Sequence, residues 1–266
     1  MIDRGLLDLP GLVLGPINDV LVSFLPEPLA LCVWALISAW LTMAVYRWTS
    51  NQDRLAELKP QVKAVQKKLS RYDGDFSGLM PLIAENFRLS GRHILLAVGP
   101  ALLAGIPVLF VLVWVSNAYG LEMPAAGQPV TVQALPAGDA EPDRWTWRGT
   151  SAEPAPDRAE AEAVTAWVVA WPVDSARLVT GAGETVASLP PPRPTPVLHQ
   201  RQWWNALIAN PAGYLEDGNP AEAVYLDLPK KEMLPFGPRW MRGWEFLYFL
   251  LLIAGSLGLK VAWKIH

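Results

Sequence analysis

The stretch Leu29-Ala-Leu-Cys-Val-Trp-Ala-Leu-Ile-Ser-Ala-Trp-Leu-Thr-Met-Ala-Val-Tyr46 contains 18 residues and no charge. It runs straight into Arg47-Trp-Thr-Ser-Asn-Gln-Asp-Arg-Leu-Ala-Glu-Leu-Lys-Pro-Gln-Val-Lys-Ala-Val-Gln-Lys-Lys-Leu69. A helix rises about 1.5 Å per residue and the hydrocarbon of a bilayer is about 30 Å thick, so the first part is long enough to cross. In the second part Leu55, Leu58, Val62, Val65, Leu69 and Tyr72 follow one another by 3, 4, 3, 4 and 3 residues, a heptad seam with Lys, Gln, Glu and Arg on the other faces. A span feeding a basic amphipathic helix sets the frame for the rest of the chain.

Two further apolar segments match the first. Ile94–Val115 has 22 residues without charge, and Trp244–Leu259 has 16 with the single charge of Glu245, extendable from Met241 to Ala262. The 266 residues are 52% hydrophobic and 18% charged, against about a quarter charged in soluble domains. An integral membrane protein is expected. Between Arg47 and Arg92 nine Lys/Arg face five Asp/Glu, whereas from Asn117 to Arg242 ten Lys/Arg face fifteen Asp/Glu. The tail adds Lys260 and Lys264 without an acid. Because cationic loops beside spans stay cytoplasmic, the expected orientation has the N-terminus outside and the C-terminus inside.

The single cysteine, Cys32, leaves no disulfide framework and no cysteine-based zinc site. His93, His199 and His266 form no ligand spacing, and the net charge of −3 gives no basic footprint for nucleic acid. Arg4 beside Asp3 and Asp8 does not read as the basic start of a cleaved signal.

The expected organisation is an outer interfacial amphipathic segment (1–27), a first transmembrane helix (28–48), a cytoplasmic antiparallel helical hairpin (49–92), a second transmembrane helix (93–116), an extracytoplasmic β-rich domain (117–240), a third transmembrane helix (241–262) and a cytoplasmic tail (263–266). Leu6, Leu9, Val13, Ile17, Val20, Leu21 and Phe24 recur at three- and four-residue steps in the first segment. Asp73-Gly74-Asp75 marks the hairpin turn, and Phe76, Leu79, Met80, Ile83 and Phe87 give the second arm an apolar face. In the outer domain strands are expected at Pro129–Leu135, Trp145–Arg148, Val164–Trp171, Ala176–Thr180, Glu184–Leu189 and Ala223–Leu228. A helix carrying Trp203, Trp204, Leu207 and Ile208 is expected between Pro194 and Asn210.

Catalytic chemistry is not legible. The spans hold no charge in their middles; Ser38 and Thr42, four apart, draw one weak polar line, which suits helix packing as well as substrate contact. Gly181-Ala-Gly183-Glu-Thr185 lacks the lysine of a phosphate loop and reads as a hairpin turn. The acid pairs Glu160/Glu162 and Glu216/Asp217 fall in polar, loop-like runs. No enzyme, cofactor or metal is expected. Trp48, Trp114, Trp240, Trp244 and Trp263 fall at span ends, where aromatic belts form, while Trp34 and Trp40 lie inside the first span and need packing partners.

The order of segments, and above all Leu29–Tyr46 running into Arg47–Leu69 with the third span Arg242–Lys260, resembles the YidC/Oxa/Alb insertase superfamily. It is most similar to the three-span branch, which holds archaeal YidC-like proteins and the third subunit of the endoplasmic-reticulum membrane protein complex. The likeness covers about Ile17–Val115 and Arg239–Lys264. It implies energy-free insertion of short hydrophobic segments through an inner-leaflet groove. On this chain Ser38 and Thr42 would line the groove, Arg47 and Arg92 would supply cytoplasm-side charge, and Phe76, Met80, Ile83 and Phe87 would meet the client. The outer connection, about 125 residues, is inserted where bacterial insertases carry two further spans. The expected partners are hydrophobic client segments, membrane lipids and a protein docking on the outer domain, with no nucleic acid, in a bacterial-type inner membrane. The alternative is a non-catalytic scaffold or assembly subunit. A hydrated cavity at Ser38 and Thr42 would favour the insertase; side chains from Trp34, Trp40 and their neighbours filling that space would favour the scaffold.

Overall fold

The computed structural model describes residues 5–138, 140–141, 144–155, 164–208 and 210–265. Asp3, Arg4, the Glu160/Glu162 pair and His266 lie outside them. About half of the chain is helical, and the rest is built around antiparallel sheet. By length and composition four helical stretches could cross a membrane: Leu6–Phe24, Glu27–Thr49, Phe76–Tyr119 and Trp244–Ala262. The first of these covers the segment expected to lie in the interface. The chain divides into two compact units, Met1–Pro28 with Leu112–Trp244 and Leu29–Val111 with Glu245–His266.

The helical unit holds most of α2 (Glu27–Thr49), all of α3 (Gln52–Ser70), most of α4 (Phe76–Tyr119) and most of α6 (Trp244–Ala262), while α1 (Gly11–Phe24) and the short α5 (Arg239–Arg242) belong to the other unit. On α2 the buried positions Ala30, Leu31, Trp34, Ala35, Ser38 and Ala39 recur along one stripe. Small residues let α6 approach it closely. A Cβ on Gly255 would stand 3.0 Å from Ala39 Cβ and 3.3 Å from Leu36 Cδ2, so the glycine is required by packing rather than by backbone conformation.

Asn51 begins α3 by accepting a hydrogen bond from the Arg54 N–H at 3.1 Å, which satisfies a donor that the first turn would leave orphaned. The seam found in the sequence is the inward face: Leu55, Leu58 and Val65 are buried. The turn forms at the expected place, where the Tyr72 hydroxyl donates to the Asp75 carbonyl at 3.0 Å. Beyond it the expected break between residues 92 and 93 is absent. One helix of 44 residues, α4, runs through Pro81, Pro100 and Pro107. The polar cluster Ser90-Gly91-Arg92-His93 changes the composition but contains no proline or cap residue strong enough to end a helix.

In the other unit a five-stranded sheet has the order β3-β4-β1-β8-β7 and a three-stranded sheet the order β2-β5-β6. The strands are β1 (Pro129–Pro136), β2 (Thr146–Arg148), β3 (Ala152–Pro154), β4 (Thr165–Ala170), β5 (Ala176–Val179), β6 (Thr185–Leu189), β7 (Val197–His199) and β8 (Ala221–Leu226). All pairings between these strands are antiparallel. Alternating residues from both sheets (Val130, Val132, Val169, Leu178, Val186 and Val224 among them) meet in one apolar core. The Gly181–Thr185 stretch is the β5–β6 hairpin turn, with Gly183 at φ 88°.

Three expectations change here. The helix between Pro194 and Asn210 is only a 3-10 turn at Asn205–Leu207, and the stretch also supplies β7. The last strand begins and ends two residues before the expected Ala223–Leu228. The short β3 lies outside every expected strand. β3 and β7 are three-residue edge strands, too short to show a period of two.

Candidate functional site

α4 carries the arrangement with most functional content. Phe76, Met80, Ala84, Phe87, Gly91, Ile94, Val98 and Leu102 succeed one another by 4, 4, 3, 4, 3, 4 and 4 residues and so share one face of the helix. All of them are exposed except Gly91, which is half-buried; Phe76 and Phe87 each expose 73% of their surface. None is charged. The helix is about 66 Å long at 1.5 Å per residue, and this stripe joins the expected hairpin arm to the expected second span without interruption. Ile83, expected on the same surface, is half-buried beside the stripe rather than on it. Arg88 and Arg92 are exposed on the adjoining face.

Ser38 and Thr42 differ in exposure: Ser38 is buried and Thr42 half-buried. Ser38 is completely buried and its Oγ accepts a hydrogen bond from the Tyr248 hydroxyl at 2.7 Å. Thr42 Oγ1 donates to the Ser38 carbonyl, also at 2.7 Å. Trp34 is buried on the same face of α2, whereas Trp40 is exposed. A hydroxyl without surface cannot line an open groove: in this chain Ser38 is a packing residue that satisfies a buried phenol. The signal for this lay in the third span, since a tyrosine among aliphatic residues needs a partner for its hydroxyl.

Arg47 stands with the end of α6. Its guanidinium lies 5.8 Å from the centre of the Trp263 ring, and a cleft of about 240 Å³ is lined by Arg47, Gln52, Asp53, Trp263, Lys264 and their neighbours. Lys264 takes φ 53°, which turns the chain back so that the Ile265 N–H reaches the Lys260 carbonyl at 3.0 Å and the Ile265 side chain is buried. Sequence reasoning placed Trp263–Ile265 in a bare tail and missed this cap.

In the β unit a carboxylate that sequence reasoning had used only against a cleaved signal is a structural centre. Asp8 is buried; it accepts from the Gly5 N–H at 3.2 Å, from Asn117 Nδ2 at 3.2 Å and from the Asn210 N–H. The Tyr119 hydroxyl donates to Asn18 Oδ1, and Lys231 Nζ pairs with Glu27 Oε1 at 2.6 Å. These contacts tie α1 (Gly11–Phe24) to the unit at both ends and in the middle.

Glu216 and Asp217 share a polar cleft of about 390 Å³ with Arg177 and Glu184, and all four are exposed. Among the described residues no group of three or more His, Cys, Asp or Glu is placed to hold a metal ion. Burial lowers the pKa of the half-buried His199 from its ordinary value. No family model, curated protein or solved structure matches this chain.

Proposed function

We propose that this chain is a non-enzymatic membrane insertase or chaperone of the YidC/Oxa/Alb type, in which α4 guides apolar client segments from the cytoplasm into the bilayer. One observation carries the reading: the exposed, charge-free stripe from Phe76 to Leu102 on a single uninterrupted helix. A client caught by Phe76, Met80 and Phe87 could move along the stripe without meeting a charge. Met80 offers an adaptable surface to varied sequences. Arg88 and Arg92 beside the stripe would hold acidic flanks of a client on the cytoplasmic side.

The reading has three spans: α2, the second half of α4, and α6. α1 is kept out of the bilayer core by its contacts. Asp8, before its start, bonds the Asn210 N–H, and Glu27, just past its end, pairs with Lys231. Both partners belong to the β unit, and a folded soluble-type unit lies on one side of a membrane. A helix tied to it at both ends lies along the interface.

The second reading, a scaffold or assembly subunit, draws on the closed environment of Ser38, which is buried, bonded to Tyr248 and on the same face of α2 as the buried Trp34. Site-specific photocrosslinking in cells separates the two. A photoreactive residue at Met80, Phe87 or Val98 should trap many nascent membrane proteins, with Val173 of the β unit as control. A single stoichiometric protein at Val173, with nothing transient along α4, would overturn the insertase reading in favour of the scaffold.

A further inference from the structure

The loop Gln202–Ile208 of the β unit turns its apolar side chains outward and holds its polar ones inward. Trp203 is 86% exposed, and Trp204, Leu207 and Ile208 are also exposed. Asn205 is buried among them and organises the turn: its Oδ1 accepts from the Gln202 N–H at 2.8 Å, and its Nδ2 donates to the Gln200 carbonyl at 2.7 Å. The Tyr214 hydroxyl donates to the Asn205 carbonyl at 3.1 Å, and Trp204 Nε1 donates to Gln202 Oε1. The apolar side chains are thus presented by a fixed loop. The six residues Trp203–Ile208 carry no charge.

A water-soluble surface rarely groups two tryptophans, a leucine and an isoleucine within one turn; such a patch needs an occupant. Its position identifies which one. The turn at Asn205–Leu207 packs against the 3-10 turn Leu6–Asp8 that leads into α1, and Asp8 fixes Asn210 just beyond the loop. α1 shows its own exposed apolar face at Val13, Ile17, Val20 and Phe24, spaced 4, 3 and 4, while Gly11 and Asn18 on the other side approach Trp114 and Tyr119. Two residues after α1 begins α2, a helix long and apolar enough to span. The patch therefore continues an apolar surface that leads directly into the membrane. Tryptophan has the chemistry for that zone, with a large apolar ring and one N–H donor.

We infer that Trp203, Trp204, Leu207 and Ile208 form a lipid-contact loop that inserts into the headgroup–acyl boundary of the leaflet facing the β unit, beside α1. The inference rests on the interfacial reading of α1, but not on the insertase activity. Its role is to hold the β unit down on the bilayer.

The full chain, in a Cys32→Ser background, would carry Trp203→Cys, Leu207→Cys or, as a solvent control, Val173→Cys, each labelled with an environment-sensitive fluorophore. The probe surface is a phosphatidylcholine–phosphatidylglycerol vesicle holding nitroxide-bearing lipids, with iodide as aqueous quencher. All three positions are exposed, so the substitutions leave the packing intact. The expected result is blue-shifted emission at 203 and 207, strong quenching by shallow nitroxides and several-fold weaker iodide quenching than at 173. Iodide access equal to that at 173 would overturn the inference. Shielding from both quenchers would also overturn it, by showing a protein on the loop. A label from Val13→Cys reports α1 separately: deep-nitroxide quenching there would overturn the interfacial reading of α1, whatever the loop shows, and crosslinking along α4 tests the insertase independently.

Discussion

The β unit keeps Val132, Val169, Leu178 and Val224 between its sheets, whereas the helical unit carries Leu95, Leu102, Ile253 and Val261 on its surface. Its fully buried positions on α2 are small or polar instead: Ala30, Ala35, Ala39 and Ser38, with Leu31 as the large exception. On the proposed reading the two units solve the same problem in different solvents. In water, apolar burial drives the sheets together, and alternation of side chains decides which face is inside. In lipid the outer surface gains nothing by hiding, so close approach of helices and satisfaction of hydroxyls decide the packing. A polar tie should then be worth more in the β unit, where its loss strands buried donors, than between α2 and α6.

The largest test of this contrast is Leu178→Ala. The side chain is fully buried in the β core, and its truncation should cost about 2–5 kcal/mol. Region-resolved hydrogen exchange of the detergent-solubilised chain should show the strands opening while α2 and α6 keep their protection. Equal loss in both units would mean that they do not fold separately. Next comes Asp8→Ala, which leaves the Asn210 and Gly5 N–H groups without their acceptor. A loss of about 2–3 kcal/mol is expected, read as faster exchange at residues 5–24 and around Asn210. Tyr248→Phe should cost less, about 1 kcal/mol, because polar ties between membrane helices contribute little on average. Unfolding in mixed micelles measures it, and a loss larger than that of Asp8→Ala would break the comparison.

The smallest effect concerns pH. His199 sits in β7, half-buried, with its pKa below the ordinary value because burial disfavours the charged ring. The unfolded chain therefore binds the proton more readily. Stability is fully present above the unfolded pKa, about 6.5, and falls as pH drops from there towards the folded value. Thermal unfolding of the β unit should shift down slightly between neutral and mildly acidic pH, and His199→Gln should flatten that dependence. An unchanged slope in the variant would remove His199 as its source.

Much of this architecture was legible because it rests on periodicity. The heptad seam from Leu55 to Tyr72, the turn at Asp73–Asp75 and the β-branched and aromatic run Val164–Trp171 are local patterns, and the corresponding elements stand where those patterns put them. What escaped was non-local or too short. Ser38 reads the same in sequence whether it lines water or meets a tyrosine 210 positions away. Asp8 counted as one acid among several until Asn117 and Asn210 converged on it. The continuity of α4 escaped for another reason: hydropathy reports the environment of a segment, and Ser90–His93 changes environment without changing backbone. The Trp203–Ile208 stretch showed its residues but not its shape, since Asn205 organises a tight turn where the apolar spacing suggested a helix.

The bond between Asp8 and Asn210 has a consequence in time. Its partners are 202 residues apart, and a ribosome adding about 5–20 residues per second separates their emergence by roughly 10–40 s. Throughout that interval the N-terminal segment has been made and the surface that receives it has not. The carboxylate must stay hydrated until the strand-bearing region has folded. Residues around Asp8, made early, are thus among the last to be locked, and the buried carboxylate records that synthesis has passed Asn210.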